Sequence, residues 1–149
     1  MARNKNKKIN YIILASDHAG FKLKELIKNF LIKKKVRVLD IGTESTKSVD
    51  YPDYAHILSK KMKLNGNQFG ILICGSGTGM VMTANKHKHI RAALCYNTKS
   101  AKFSRKHNNA NVMTIGARFI KRNTALRCVN TFLNTDFDGG RHLKRDKKI

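Results

Sequence analysis

Gly70-Ile71-Leu72-Ile73-Cys74-Gly75-Ser76-Gly77-Thr78-Gly79 is the stretch that decides the fold. Its first half is an unbroken apolar run of the kind found in a strand covered on both faces. Its second half places glycine at every other position, and Met80 and Val81 then begin a helical pattern. A buried strand that ends in a glycine-rich turn and passes directly into a helix is one unit of a parallel α/β sheet.

The same alternation extends in both directions. Upstream, residues 10–16 form an apolar run, followed by Phe21, Leu23, Leu26, Ile27, Phe30 and Leu31 at helical spacing. Residues 37–41 read as a second strand. Asp50-Tyr51-Pro52-Asp53 opens a helix carrying Tyr54, Ile57, Leu58 and Met62, closed by Gly66. Downstream, residues 80–86 are helical, 90–94 and 112–115 are strands, and 98–107 and 124–133 are helices. Strands and helices therefore alternate five times in a chain of 149 residues, the size of a single domain. The expected fold is α/β: a single-domain, Rossmann-like three-layer sandwich with a five-stranded parallel sheet over 1–149. Residues 1–8 are a basic N-terminal extension expected to be poorly ordered.

Composition narrows the function. The apolar runs are far shorter than the roughly 20 residues that span a bilayer. The apolar segment after the basic start is too short for a signal peptide and runs into Asp17 and His18. Cys74, Cys95 and Cys128 are an odd number at wide spacing, which suggests neither a disulfide framework nor a paired metal motif and fits a reducing, cytoplasmic location. The net charge of +22 invites a nucleic-acid partner. Yet the lysines run from one end of the chain to the other among many asparagines, with local runs only at 33–35, 60–61, 86–91 and 144–148. Such a spread argues for solvated basic faces over a dedicated nucleic-acid site.

In a parallel sheet with helices on both faces, ligands bind beyond the carboxyl ends of the strands. The strand exits here are Asp17-His18, Gly42-Thr43, residues 74–79, Tyr96-Asn97 and residues 116–118. The glycines at 75, 77 and 79 let backbone amides converge on one concavity, an anion-binding loop. It lacks the lysine of a P-loop, and its spacing differs from the dinucleotide fingerprint. No arginine follows Cys74 at the spacing of a cysteine phosphatase. A thiol at this position can serve as base or nucleophile, or simply end a buried strand. Asp17 is either a functional acid or a helix cap. His107 reads as a solvated or capping residue, His87 and His89 likewise, and no histidines converge with carboxylates at metal-ligand spacing. Arg118, Arg141 and Arg145 offer planar donors to a phosphate, against the alternative of a disordered basic tail.

Residues 16–21 (SDHAGF), Asp50-Tyr51-Pro52, residues 70–79, Asn85-Lys86, residues 107–112 (HNNANV) and Gly139-Gly140-Arg141-His142 together resemble the ribose-5-phosphate isomerase type B family, in order and over nearly the whole chain. The resemblance implies an aldose–ketose isomerase of the non-oxidative pentose phosphate pathway, interconverting D-ribose 5-phosphate and D-ribulose 5-phosphate without metal or cofactor. It implies a homodimer with active sites shared between subunits, and allows pairing of dimers into tetramers. Cys74 is then the general base, and Ser76, in place of a frequent threonine, joins the amides of Gly75, Gly77, Thr78 and Gly79 in stabilising the enediolate. Asp17 and His107 would assist ring opening, with His107 and Asn108 supplied by the other subunit. Tyr51 would line the sugar pocket, and His18, Arg118, Arg141 and Arg145 would hold the phosphate. Galactose-6-phosphate isomerase subunits and allose-6-phosphate isomerases resemble the same family. Because Asp17, Cys74, His107 and Arg141 all lie in one chain, a self-sufficient enzyme for a five-carbon sugar is the expectation. The reading of another class is a basic nucleic-acid-binding protein built on an isomerase fold.

Overall fold

A computed structural model describes residues 11–64 and 66–149. The basic extension expected at 1–8 lies outside the described residues. Five parallel strands form one sheet in the order β2-β1-β3-β5-β4: β1 Ile12–Ser16, β2 Val38–Asp40, β3 Phe69–Cys74, β4 Ala92–Leu94 and β5 Val112–Gly116. The helices are α1 Phe21–Lys33, α2 Tyr51–Lys61, α3 Thr78–Ala84, α4 Thr98–Asn108, α5 Arg122–Leu133 and α6 Arg141–Asp146. Among the described residues no helix is long and apolar enough to cross a membrane.

The three expected layers are present, and the period-2 geometry of the strands explains them. Ile12 and Leu14 of β1, Ile71 and Ile73 of β3, and Met113 and Ile115 of β5 face α1, α4 and α5, where they pack with Leu23, Ile27, Ala101, Cys128 and Phe132. The alternate residues Ile13, Ala15, Leu72, Cys74 and Val112 face α2 and α3, packing on Leu58 and Met80. Cys74 thus belongs by register to the α2–α3 face. The central strands β1 and β5 are buried throughout and β3 from Gly70 onward, as their apolar runs require.

Several boundaries differ from the sequence reading. β2 and β4 are three-residue edge strands, shorter than the five-residue runs read from the sequence, because each has a neighbour on one side only. α2 stops at Lys61, where Met62 turns extended, rather than at Gly66. α3 starts two residues earlier than read, at Thr78, because the left-handed Gly77 (φ +77°) closes the loop. Among the described residues there are six helices rather than five: the tail, whose alternative reading was a disordered terminus, forms α6 and is tied to the body by an Arg91–Asp146 ion pair.

A buried lysine organises the sheet edge. Lys24 of α1 is almost fully enclosed and donates to Glu25 at 2.8 Å and to Asp40 at 2.5 Å. Lys28 reaches the same two carboxylates at 2.7 and 2.8 Å. Asp40 also accepts the Gly42 amide at 3.1 Å, and the Gly42 carbonyl takes the Ser16 amide at 2.5 Å. The ion cluster therefore holds the β2 exit against the β1 exit, one residue before Asp17.

Candidate active site

The β3 exit is built as a thiol facing a turn of amides. Cys74 is buried, and the Gly77 N–H donates to its Sγ at 3.0 Å. Only glycine suits position 77: its φ is left-handed, and a methyl there would lie 2.5 Å from Leu94 Cδ1 and 2.9 Å from the Gly116 nitrogen. The Thr78 amide turns back to Ser76 Oγ at 3.3 Å, so Ser76 and Thr78 share the loop mouth.

The side chains of Arg118 and Tyr51 close on this loop, and the β1 exit is bonded to the strand that leads into it. Arg118 donates its amide to the Gly75 carbonyl at 3.0 Å, and its guanidinium lies against Gly75, where an added methyl would stand 2.8 Å from Nη1. The phenol ring of Tyr51, the first residue of α2, covers Gly79 so closely that a methyl there would meet it at 2.5 Å. Asp17 is buried, and its amide donates to the Ile73 carbonyl at 3.1 Å, binding the β1 exit to β3. One oxygen of its carboxylate accepts the amide of Gly20 at 3.0 Å; Gly20 is the N-cap of α1, so Asp17 braces the turn ahead of the helix rather than capping it. His18 Nδ1 lies 3.2 Å from the Val49 amide nitrogen and 3.3 Å from the Val49 carbonyl oxygen, which ties the β1 exit to the segment ahead of α2.

Cys74, Ser76, Gly75, Gly77, Thr78, Gly79, Tyr51, Asp17, His18 and Arg118 are thus brought together at the carboxyl edge of the sheet. The other four expected residues are elsewhere. α4 runs from the β4 exit back toward the start of β5, so His107 and Asn108 end at the amino edge, where Arg91 Nε donates to the Asn108 carbonyl. α6 packs beside them: the Asp138 amide donates to the Lys106 carbonyl at 3.0 Å, and Gly139 and Gly140, both at positive φ, turn the chain so that His142 stacks on His107. Arg141 and Arg145 belong to this second group. Among the described residues, no hydrogen bond, ion pair or ring contact connects it to the Cys74 loop.

The remaining cysteines, Cys95 and Cys128, sit in the core on the α1–α4–α5 face. Burial pushes the Cys95 thiol up to about 12 and also raises that of Cys128, so both stay protonated. Arg105 is an internal strut: burial lowers its guanidinium to about 10, and it donates to the Thr135 and Ala110 carbonyls while lying over Phe69.

Two groupings escaped the sequence reading. His56 Nδ1 lies 2.8 Å from His87 Nε2, with His89 bonded to the Ser59 carbonyl; burial and then the neighbouring His56, His89 and Lys60 lower His87. The nitrogens and oxygens of His107, Asp138 and His142 lie within 4.8 Å of one another, a convergence of histidine and carboxylate absent from the sequence pattern. Both depend on residues separated by about 30 positions, which no local spacing reveals.

Residues 12–149 match the ribose/galactose isomerase family. The chain is 46% identical over 139 residues to a probable ribose-5-phosphate isomerase B of Mycoplasma pneumoniae, covering 93% of this chain and 91% of that protein. The crystal structure of a ribose 5-phosphate isomerase from Thermotoga maritima superposes with a TM-score of 0.90 at 49% identity, over 93% of this chain and 95% of that one. A Mycoplasma genitalium ribose-5-phosphate isomerase B structure with bound ribulose-5-phosphate superposes with a TM-score of 0.90 at 40% identity, covering 95% of each chain. With the family match running from residue 12 to 149 and the fold shared over more than nine-tenths of each chain, this chain belongs to the ribose/galactose isomerase family.

Proposed function

We propose that the chain interconverts D-ribose 5-phosphate and D-ribulose 5-phosphate through a cis-enediolate, with Cys74 as the base. The observation that carries this reading is the Cys74 Sγ held 3.0 Å from the Gly77 amide at the mouth of a glycine loop. In a cis-enediolate C1 and C2 lie side by side, so one group can remove the proton from one carbon and return it to the other. The charge that develops on O1 and O2 needs donors already in place, and Ser76 with the amides of residues 75–79 supplies them; losing one such donor costs about 10²- to 10³-fold in rate. Tyr51 closes the sugar side, while Asp17 assists opening of the furanose ring. His18 and Arg118 engage the phosphate, which fixes the sugar in the reactive geometry.

The working site needs two copies of the chain. His107, Asn108, Arg141 and Arg145 sit at the amino edge of the sheet, and the rest of the machinery at the carboxyl edge. β3 alone, with its six residues, separates the two edges by about 17 Å. A two-fold dimer that sets the amino-edge group of one protomer over the Cys74 loop of the other completes two sites at once, as an isologous interface does. His107 then serves ring opening in the neighbouring subunit, and Arg141 and Arg145 join Arg118 at the phosphate. We place this dimer in the cytoplasm, where three free cysteines are stable.

The test is turnover of ribose 5-phosphate by the purified protein in EDTA, beside Cys74→Ala and with allose 6-phosphate and galactose 6-phosphate for comparison. Metal-independent turnover, greatest on the five-carbon sugar and abolished in Cys74→Ala, is expected. An active Cys74→Ala variant would remove the thiol from the mechanism, and no turnover on any of the three sugars would remove the function.

A further inference from the structure

We propose that His107, Asp138 and His142 form a binding site for a divalent transition-metal ion of the zinc type, and that filling it shuts off the shared sugar-phosphate site. The second half rests on the isomerase reading above; the first stands on geometry alone. Two imidazoles and a carboxylate are a donor set suited to zinc, cobalt or nickel, with open positions left for water. Their ligand atoms lie within 4.8 Å of one another. A metal bonded at about 2.1 Å to each needs them roughly 3–4 Å apart. The His107 and His142 rings are parallel to within 8° with centroids 4.2 Å apart, so turning one ring brings its lone pair onto the common point.

The local chain supports this arrangement. The Asp138 amide anchors the segment to the Lys106 carbonyl, and the left-handed Gly139 and Gly140 carry His142 over His107. Lys106 Nζ approaches only Oδ2 of Asp138, at 3.4 Å, which leaves the other oxygen for the metal. Cationic neighbours, Arg141, Arg145 and Lys106, weaken a metal here and make its binding reversible. Once bound, it takes the His107 lone pair needed for ring opening and sets a positive charge and a fixed ring where the sugar enters. Zinc is then an inhibitor that competes with substrate.

Titration of the intact protein with Co²⁺, followed by its d–d absorption, tests the site directly. One ion per chain is expected, without the intense charge-transfer band of a thiolate ligand. His142→Ala and the milder Asp138→Asn should each lower affinity at least about tenfold, since losing even a group that only orients a ligand costs about that much, while His87→Gln leaves it unchanged. Affinity unchanged in both site variants, a thiolate band, or loss in His87→Gln instead would overturn the site. In turnover assays, zinc should inhibit competitively and reversibly to EDTA, and Asp138→Asn should turn over normally but resist zinc. Equal zinc sensitivity in Asp138→Asn would overturn the inhibitory role. A wild-type protein inactive even in EDTA would instead sink the isomerase reading, while the Co²⁺ titration would still decide the metal site.

Discussion

Cys74 and His107 stand at opposite edges of one sheet: Cys74 closes β3 at the carboxyl edge, and His107 lies in the last turn of α4 beside the start of β5. Each edge carries part of the site proposed above. The carboxyl edge has the thiol, the amide loop and one arginine; the amino edge has the imidazole and two more arginines.

The loop depends on Gly77. Gly77→Ala puts a side chain at a φ of +77° and within 2.9 Å of the Gly116 nitrogen. The left-handed conformation alone costs a non-glycine residue about 2 kcal/mol. Urea unfolding should show at least that loss, with the Gly77 amide displaced from Cys74 and turnover collapsing. An unchanged midpoint together with normal turnover would show that the loop does not need this conformation.

Arg118 offers a planar fork against Gly75, and a lysine keeps the charge without the fork. Arg118→Lys should raise KM for the sugar phosphate about tenfold, one lost charge-assisted hydrogen bond, with kcat changed far less. Inorganic phosphate should inhibit the variant correspondingly less. A fall in kcat at constant KM would move Arg118 from phosphate binding to the chemical step.

Lys24 gives a stability prediction with a pH signature. Burial raises the Asp40 carboxyl, but hydrogen bonds from Lys24 and Lys28 and from the Gly42 amide outweigh it and hold the group below its ordinary value. A carboxyl depressed in the folded state contributes stability that is complete above the unfolded pKa of about 4 and is lost as pH falls through the folded value. Lys24→Met should cost about 2 kcal/mol at neutral pH, the scale of lost hydrogen bonds to charged groups, because Lys28 still pairs with both carboxylates. It should also flatten the acid limb of the stability curve. Acid limbs of equal slope for the two proteins would contradict the assigned role.

The central strands were legible because a run such as Gly70-Ile71-Leu72-Ile73-Cys74 has no other economical place than a sheet covered on both faces. The Cys74 loop was legible for a related reason: alternating glycines have local consequences. The edge strands were overread because periodicity reports burial, and β2 and β4 are only half covered. α6 was missed because none of its residues is buried, so it has no apolar stripe to announce it. The meeting of His107 with Asp138 and His142, and of His56 with His87, comes from tertiary packing between segments about 30 residues apart, and no spacing rule encodes it.

The division of the site between two copies is tested most directly by mixing inactive variants. Cys74→Ala and His107→Ala are each expected to be inactive alone. After denaturation and joint refolding at equal amounts, half of the dimers are mixed, and each mixed dimer carries one site with both native groups. Activity should return to about a quarter of the wild-type value, as follows from two-fold symmetry. A mixture as inactive as its components, with mixed dimers confirmed by mass, would contradict a site built from Cys74 of one protomer and His107 of its partner.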